Sequence, residues 1–350
     1  MIYRLETLVR DAGFCAFAAG NLRQEQAPVA PAAPVAPAAP LAPAALFPPS
    51  AKAVLLCALS VPADAAREAP DAPNISGGGN PEGAVYGEIA PFARYNCYRK
   101  AVKLLQKIAC KLGAGVQFSK SDFRIFCNSR LNEKALARSY GLGSIGHNGL
   151  VITREAGCRC VIAGMTLPFA LTDETEILPD FAFCADCGAN ADCVASADCG
   201  ANADCPENMP PCVRACPTGA LLGGGRIRLS LCIQWYASGN GGEVPDAVRR
   251  VWGRRLYGCT LCQDACVRSR NTSPAVPSGE VPYGSEAAGT LPAGVLPRFI
   301  DAQKILKMSD SELKTFFKGT ALGFSWLVPN ALRRSAALLT SSRLYDIIKS

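Results

Sequence analysis

Cysteine spacing carries the clearest chemistry in this chain. Eighteen cysteines occur among 350 residues. The segment PCVRACPTGA, residues 211–220, sets Cys212 and Cys216 in a C-x3-C-P run. That run closes the pattern C-x2-C-x2-C-x3-C-P, in which three thiolates wrap one [4Fe–4S] cubane and the fourth reaches a neighbouring one. The proline ends the turn, because it has no N–H with which to continue a helix. The opening half is Cys184-Ala-Asp-Cys187-Gly-Ala. Without residues 190–211 the chain would read CADCGACVRACPTGA, a complete pattern. Those residues therefore read as an insertion, and most of it is a duplication of ADCGANADC.

A second half-motif follows: Cys232, then GCTLCQDAC with Cys259, Cys262 and Cys266. The crossed arrangement assigns Cys184, Cys187, Cys212 and Cys266 to a first [4Fe–4S] cluster, and Cys216, Cys232, Cys259 and Cys262 to a second. Cys193, Cys199 and Cys205, inside the insertion, are then spare. The rival assignment has Cys199 and Cys205 replacing Cys184 and Cys187, at the looser spacing C-x5-C. Zinc sites use paired C-x2-C knuckles and explain neither C-x3-C-P nor eight ligands divided four and four. Two clusters carry electrons, so the protein needs something to reduce.

The rest of the sequence must position these thiols. The length allows two domains, and 49% apolar residues allow a sizeable core. No apolar run reaches the roughly 18–20 residues that span a bilayer. The first residues are interrupted by Glu6, Arg10 and Asp11, unlike a signal peptide. Closely spaced cysteines without a secretion signal point to cluster binding in a reducing cytoplasm, with no membrane partner. The net charge is +7. Arg249, Arg250, Arg254 and Arg255, then Arg268 and Arg270, then Arg333 and Arg334, are a candidate phosphate-binding patch or a solvated surface.

The fold class expected is α+β. Residues 1–178 should form a mixed α/β domain, opened by an amphipathic helix and a strand and interrupted by the Pro/Ala-rich insertion 26–49. AVLLCALSV (53–61) reads as a core strand, and Pro91–Leu112 as one long helix with Val102, Leu105, Ile108 and Leu112 on its apolar stripe. VQFSK and FRIF read as strands and Leu131–Tyr140 as a helix. GLGSIGHNG is a Gly-rich turn, and LVITREAGCRCVIAGMTL a hairpin. A ferredoxin-like double-cluster domain covers 179–270, a loop 271–297, and a helical segment 298–350. In that last segment Ser309–Glu312 is a capping box and Asn330–Leu339 a final helix. Cys15, Cys57, Cys97 and Cys110 read as small buried hydrophobes, and Cys158 and Cys160 as packing on one strand face.

Taken together, these segments resemble the epoxyqueuosine reductase family. The segments are AKAVLLCALSVP, YGEIAPFARYNCYRKAVKLL, EKALARSYGLGSIGHNGLVI, CPTGA, YGCTLCQDAC and SDSELKTFFKGTAL…NALRRSAALL. The resemblance implies that the N-terminal domain is of corrinoid-binding type and holds cobalamin. The two [4Fe–4S] clusters would feed it electrons supplied by a donor such as a ferredoxin or flavodoxin. The reaction implied is removal of the epoxide oxygen of epoxyqueuosine in tRNA as water. Tyr95, Gly143, Gly146, His147 and Asn148 fall where the resemblance places the cofactor. The family's acidic V-D-T motif is replaced by RIFCNSRLNEKA, and no aspartate lies between Phe123 and Leu150. Cys127, Asp122 and Glu133 are the remaining candidates for a proton donor. The alternative function is an electron-transfer iron–sulfur protein, or a paralogue acting on another substrate after losing that aspartate.

Overall fold

The structure is a computed structural model. It describes residues 2–22, 47–62, 85–114, 118–129, 131–187, 209–239, 241–272, 294–323 and 329–349. Nearly all of the Pro/Ala-rich stretch, the duplicated repeat with Cys193, Cys199 and Cys205, and most of loop 271–297 lie outside the described residues. The chain forms two units. The first contains Met1–Val61, Cys97–Arg228 and Leu261–Pro277; the second contains Pro62–Asn96, Leu229–Thr260 and Ser278–Ser350. Both are discontinuous, and the segment 179–270 contributes residues to each. Elements below are labelled in chain order through both units.

The first unit is built on a four-stranded antiparallel sheet in the order β1-β2-β7-β4. Its strands are β1 (Ala16–Asn21), β2 (Ala53–Ser60), β4 (Ile125–Cys127) and β7 (Cys160–Leu167). The strand β2 is central because seven of its eight residues are apolar and buried, a pattern that requires cover on both faces. Val54, Leu56 and Ala58 point into one cluster with Leu136 and Ala137 of α4 (Glu133–Ser139). Alternation sends Leu55 and Cys57 to the other face. The helices α1 (Ile2–Ala12) and α3 (Cys97–Gly113) pack on the sheet outside that cluster, through Leu5 and Val9, and through Ala101, Leu105 and Ile108.

The expected helix from Pro91 to Leu112 is broken. A short α2 (Pro91–Arg94) ends at Tyr95, Asn96 takes a left-handed φ of 47°, and α3 begins at Cys97. Asparagine tolerates that conformation through its short polar side chain, and Asn96 Nδ2 donates to the Gly319 carbonyl at 2.8 Å. Along α3, Val102 and Leu112 are only half-buried and Cys110 is exposed, because the stripe is centred on Ala101, Leu105 and Ile108. Phe118 and Ser119 belong to no strand, and FRIF contributes only Ile125 and Phe126 to β4.

The expected hairpin over 150–167 also differs. The strand β6 (Val151–Ile152) pairs back onto β5 (Ser144–Ile145), while β7 joins the main sheet. A tight turn bridged by Thr153 and Gly157 separates them. The glycines of 141–149 thus close a β5–β6 hairpin. The unit is completed by α5 (Pro211–Arg214), β8 (Leu221–Gly223), β9 (Arg226–Ile227), α8 (Leu261–Asp264) and α9 (Val267–Asn271).

The second unit has a three-stranded sheet that sequence patterning missed. Its centre is β3 (Tyr86–Ile89), parallel to β10 (Arg255–Tyr257) and antiparallel to β11 (Phe299–Asp301). Three- and four-residue strands are too short to show a period of two. The short helices α6 (Ile233–Ala237) and α7 (Asp246–Arg249) precede β10. After β11 come α10 (Ala302–Lys307), α11 (Asp310–Phe316) and α12 (Pro329–Lys349). The last packs against α10 and β10 and runs past the Leu339 expected as its end. The Ser309–Glu312 capping box is formed in both directions.

Candidate functional site

The four cysteines assigned to the first cluster are neighbours in the first unit. Cys184 and Cys187 frame a 3-10 turn in which Cys184 N–H donates to Phe181 O at 2.8 Å and Cys187 N–H to Cys184 O at 3.0 Å. Cys212 lies on α5, where Pro210 and Pro211 supply the φ of a helix start without wasting an N–H. Cys266 caps α9, which packs against the 184–187 turn. Cys184, Cys212 and Cys266 are buried, and Cys187 is partly so. Burial pushes the Cys212 thiol up to about 12, and the charges of Cys266, Cys184 and Cys187 push the same way. The Cys212 thiol therefore resists ionising unless a metal cluster supplies the compensating positive charge.

The walls of this group are specific. Phe183 sits between the guanidinium groups of Arg268 and Arg154, at 5.1 and 5.8 Å from its ring centre. Ile152, Cys158, Phe183, Cys184 and Cys266 form one buried cluster. Arg159 reaches Asp264 at 2.9 Å and ties α8 to the chain entering β7. Arg138 of α4 makes two bonds, of 2.6 and 2.7 Å, to Asp180 just before the cysteine turn.

The other four cysteines are divided. Cys216 and Cys262 belong to the first unit, where α5 packs on α8 and both residues line the cluster of Met209, Val213 and Leu221. Cys232 and Cys259 belong to the second unit. There Cys232 caps α6, and Gln234 of that helix accepts the Cys259 N–H at 2.9 Å. Among the described residues no three His, Cys, Asp or Glu side chains converge closely enough to hold a single metal ion. A cubane spreads its ligand sulfurs farther apart than one ion does.

The residues expected at a corrinoid sort themselves by environment. Tyr95 lies in the second unit; Gly143, Gly146, His147 and Asn148 lie in the first. A side chain at Gly143 would meet Ile152 O at 2.4 Å, and one at Gly146 would meet Ile152 Cδ1 at the same distance. These glycines are therefore required by their own hairpin. Asn148 Oδ1 accepts the Leu150 N–H at 3.2 Å, and its Nδ2 donates to Cys158 Sγ at 3.5 Å. His147 is not the surface group a lone loop histidine usually is, but 1% exposed. Its ring stacks on Phe181 at 4.8 Å, and Nδ1 accepts the Gly224 N–H at 3.2 Å. The proton must then sit on Nε2, which has no partner among the described residues. Burial lowers its pKa, so the ring stays neutral.

The three proton-donor candidates also separate. Asp122 accepts from Ser119 N–H at 2.8 Å and Ser119 Oγ at 3.0 Å. These bonds hold its carboxyl below the usual range, so it stays ionised. Cys127 donates to Ile162 O, and burial, with Glu133 and Cys97 nearby, raises its thiol far above its ordinary value. Glu133 stands at the start of α4 and accepts the N–H groups of Asn128 and Ser129 at 2.9 and 2.8 Å. Burial outweighs those bonds and raises its carboxyl pKa. Of the two carboxyls, Glu133 is the one the fold shifts toward protonation, while the Cys127 thiol holds its proton too tightly to release it at neutral pH.

Sequence reasoning left Cys158 as packing on one face with Cys160. The structure separates them: Cys160 packs against the β1–β2–α4 cluster, while Cys158 joins Cys184 and Cys266. No spacing rule links positions 158 and 266, so only the tertiary fold could bring them together. Several expected surface arginines are also engaged. Arg334 donates to the carbonyls of Tyr236, Gly241 and Gly242, and Arg333 to Met308 O and Asp310. Arg249 and Arg250 remain exposed, with Arg249 beside Asp246 at 3.6 Å.

Residues 210–268 match a family described as a 4Fe-4S double cluster binding domain. The chain therefore carries a domain for two iron–sulfur clusters. It is 29% identical over 189 residues to the epoxyqueuosine reductase of Alicycliphilus denitrificans, a match covering 53% of this chain and 45% of that protein. The chain thus spans about half the length of the curated relative it matches. The structure of epoxyqueuosine reductase from Streptococcus thermophilus aligns over 100% of this chain and 85% of its own, with a TM-score of 0.65 and 16% identity. A crystal structure of epoxyqueuosine reductase with an epoxyqueuosine-modified tRNA stem loop aligns over 97% and 81%, with a TM-score of 0.63 and 20% identity. The fold is thus that of these mixed α/β proteins. Among the described residues no helix is long and apolar enough to cross a membrane.

Proposed function

We propose that this protein is an iron–sulfur oxidoreductase that removes the epoxide oxygen from epoxyqueuosine in tRNA. The observation that carries the reading is the double-cluster match over 210–268 within a chain whose sequence and fold both resemble epoxyqueuosine reductases. Cys184, Cys187, Cys212 and Cys266 would hold one [4Fe–4S] cluster. Cys216, Cys232, Cys259 and Cys262 would hold the other. On this reading 179–270, interrupted by 190–211, acts as one double-cluster module, and 1–178 as the corrinoid-binding region. An electron carrier such as a ferredoxin or flavodoxin would supply the clusters, and the reaction belongs to the cytoplasm.

Loss of the epoxide oxygen as water consumes two electrons and two protons and leaves an alkene. Cobalamin, when bound, would supply the reducing centre that receives electrons from the clusters. His147 fits such a group best, because its buried Nε2–H lacks a partner among the described residues. Gly143, Gly146 and Asn148 support the hairpin that carries His147. The poor leaving ability of an alkoxide-like oxygen calls for an acid, and Glu133 is the candidate with a raised carboxyl pKa. Arg249 and Arg250 are exposed cations available to tRNA phosphates.

The second reading, an electron carrier without this reaction, is favoured by the replacement of the family's acidic motif by RIFCNSRLNEKA. Cobalamin titration followed by its visible spectrum, paired with turnover of epoxyqueuosine-containing tRNA, separates the two. Binding that weakens at least tenfold in His147→Phe, together with turnover, supports the reductase. No binding and no turnover by iron-loaded protein leaves the electron carrier.

A further inference from the structure

The two second-unit cysteines assigned to the second cluster are tied together by one side chain. Cys232 caps α6: its N–H donates to Leu229 O at 3.0 Å, and its carbonyl accepts the Trp235 N–H at 3.1 Å. Gln234, half-buried on that helix, turns its carboxamide oxygen to Cys259, whose backbone N–H donates to Oε1 at 2.9 Å. The partner settles the orientation of the amide. A backbone N–H only donates, so the oxygen and not the nitrogen of Gln234 must face it. The chain just before Cys259 is fixed as well. Gly258 takes φ +92°, and a side chain there would stand 2.4 Å from Ala90 Cβ and 2.9 Å from Phe92 Cζ. Tyr257 O accepts the Ala90 N–H at 2.9 Å. The Cys259 N–H is thus held on Gln234 from a backbone that has little room to turn.

We propose that Gln234 is a positioning residue of the second cluster: it orients Cys259 beside Cys232 and withholds the Cys259 N–H from the cluster's sulfurs, which keeps the reduction potential of that cluster low. The proposal rests on the reading of Cys232 and Cys259 as ligands. Only Cα and Cβ separate the amide nitrogen of a ligand cysteine from its own sulfur, so this N–H is among the donors nearest to the cluster. Hydrogen bonds to cluster sulfur ease reduction. A donor engaged by a carboxamide oxygen does not give that help. Gln234 and Cys259 lie 25 positions apart, so no spacing rule announces the pairing.

The test is an EPR-monitored redox titration of the reconstituted protein. Cys259→Ser first identifies the second cluster: iron should fall from about eight to about four per chain, and the redox wave that disappears belongs to that cluster. Full iron content in Cys259→Ser removes Cys259 as a ligand and overturns the proposal, while about eight irons in the parent leave the double-cluster reading in place. Gln234→Met keeps the length of the side chain and removes the acceptor. It should hold the parental iron content and raise the potential of the second wave. The expected change is on the order of tenfold in the reduction equilibrium, the worth of one hydrogen bond to a charged group, or about 59 mV for a one-electron couple. The other wave should not move. Gln234→Glu keeps an acceptor for the N–H and should not show the rise. Gln234→Leu gives the same reading where the methionine variant does not load iron. An unchanged or lower second-wave potential in the iron-loaded methionine or leucine variant, or an equal rise in Gln234→Glu, overturns the proposal.

Discussion

Replacing Cys184 by serine should empty the first cluster and loosen the first unit. Cys184 is 5% exposed in an apolar cluster with Phe183 and Cys266, so a serine there has neither the thiolate for iron nor a surface position to retreat to. A cluster held by Cys184, Cys187, Cys212 and Cys266 closes loops of about 28 and 54 residues, each worth roughly 4 kcal/mol in the chain-entropy treatment of cross-links. Even one such term lost, in a unit of 150–250 residues, lowers the melting temperature by about 8–16 °C. The assay is anaerobic reconstitution with iron counting, followed by calorimetry. The parent should bind about eight irons, as two [4Fe–4S] clusters require, and Cys184→Ser about four. Cys193→Ser, Cys199→Ser and Cys205→Ser should match the parent in both measurements. Full iron content in Cys184→Ser, with loss in Cys199→Ser or Cys205→Ser, would refute the reasoning and hand the ligand role to the duplicated copies.

Three further outcomes follow from the same geometry. Glu133→Gln should lower kcat/KM for epoxyqueuosine-containing tRNA by about 10²–10⁴-fold, the usual worth of a positioned acid. The sign of the pH dependence is set by the raised carboxyl pKa: parent activity is present while Glu133 is protonated and falls as pH rises through that value, whereas the glutamine variant should lack this limb. Gly143→Ala places a methyl 2.4 Å from Ile152 O, so the β5–β6 hairpin must shift; urea denaturation should show a loss of about 1–3 kcal/mol. His147→Phe keeps the stack on Phe181 but removes Nε2–H. It should weaken cobalamin binding tenfold or more while iron content stays at the parental value.

The double-cluster domain matched over 210–268 was legible in the sequence because C-x3-C-P and C-x2-C-x3-C are local spacings. The structure places Cys184 and Cys187 at one 3-10 turn, Cys212 on α5, Cys262 on α8 and Cys266 at the start of α9. The strand β2 was equally plain, since eight apolar or small residues in a row leave little else. What failed to read depended on partners distant in sequence. The break at Asn96 is stabilised by Gly319 O, and no local signal announces it. The segment 150–167 looked like one hairpin because two apolar runs flank a turn, yet β6 finds its partner in β5 and β7 in β2 and β4. The burial of His147 between Phe181 and Gly224 was likewise not visible from the Gly-rich turn that carries it.

The duplicated repeat poses a choice between two sets of ligands, and loop entropy measures it. Inserting 22 residues between Cys187 and Cys212 lengthens that connection from about 3 to about 25 residues, some three doublings, at roughly 0.6 kcal/mol each. The insertion therefore costs the cluster only about 2 kcal/mol. Transfer of the ligand role to Cys199 and Cys205 would shorten the connection to about 7 residues and recover roughly 1 kcal/mol. Against that gain stands a formed turn: two backbone hydrogen bonds orient Cys184 and Cys187, each worth about 0.5–1.5 kcal/mol net. Phe183, held between Arg154 and Arg268, fixes the same turn. On this balance the preformed turn is expected to keep the cluster on Cys184 and Cys187, with the repeat tolerated because long loops add so little, and the iron counts of the serine variants decide between the two pairs.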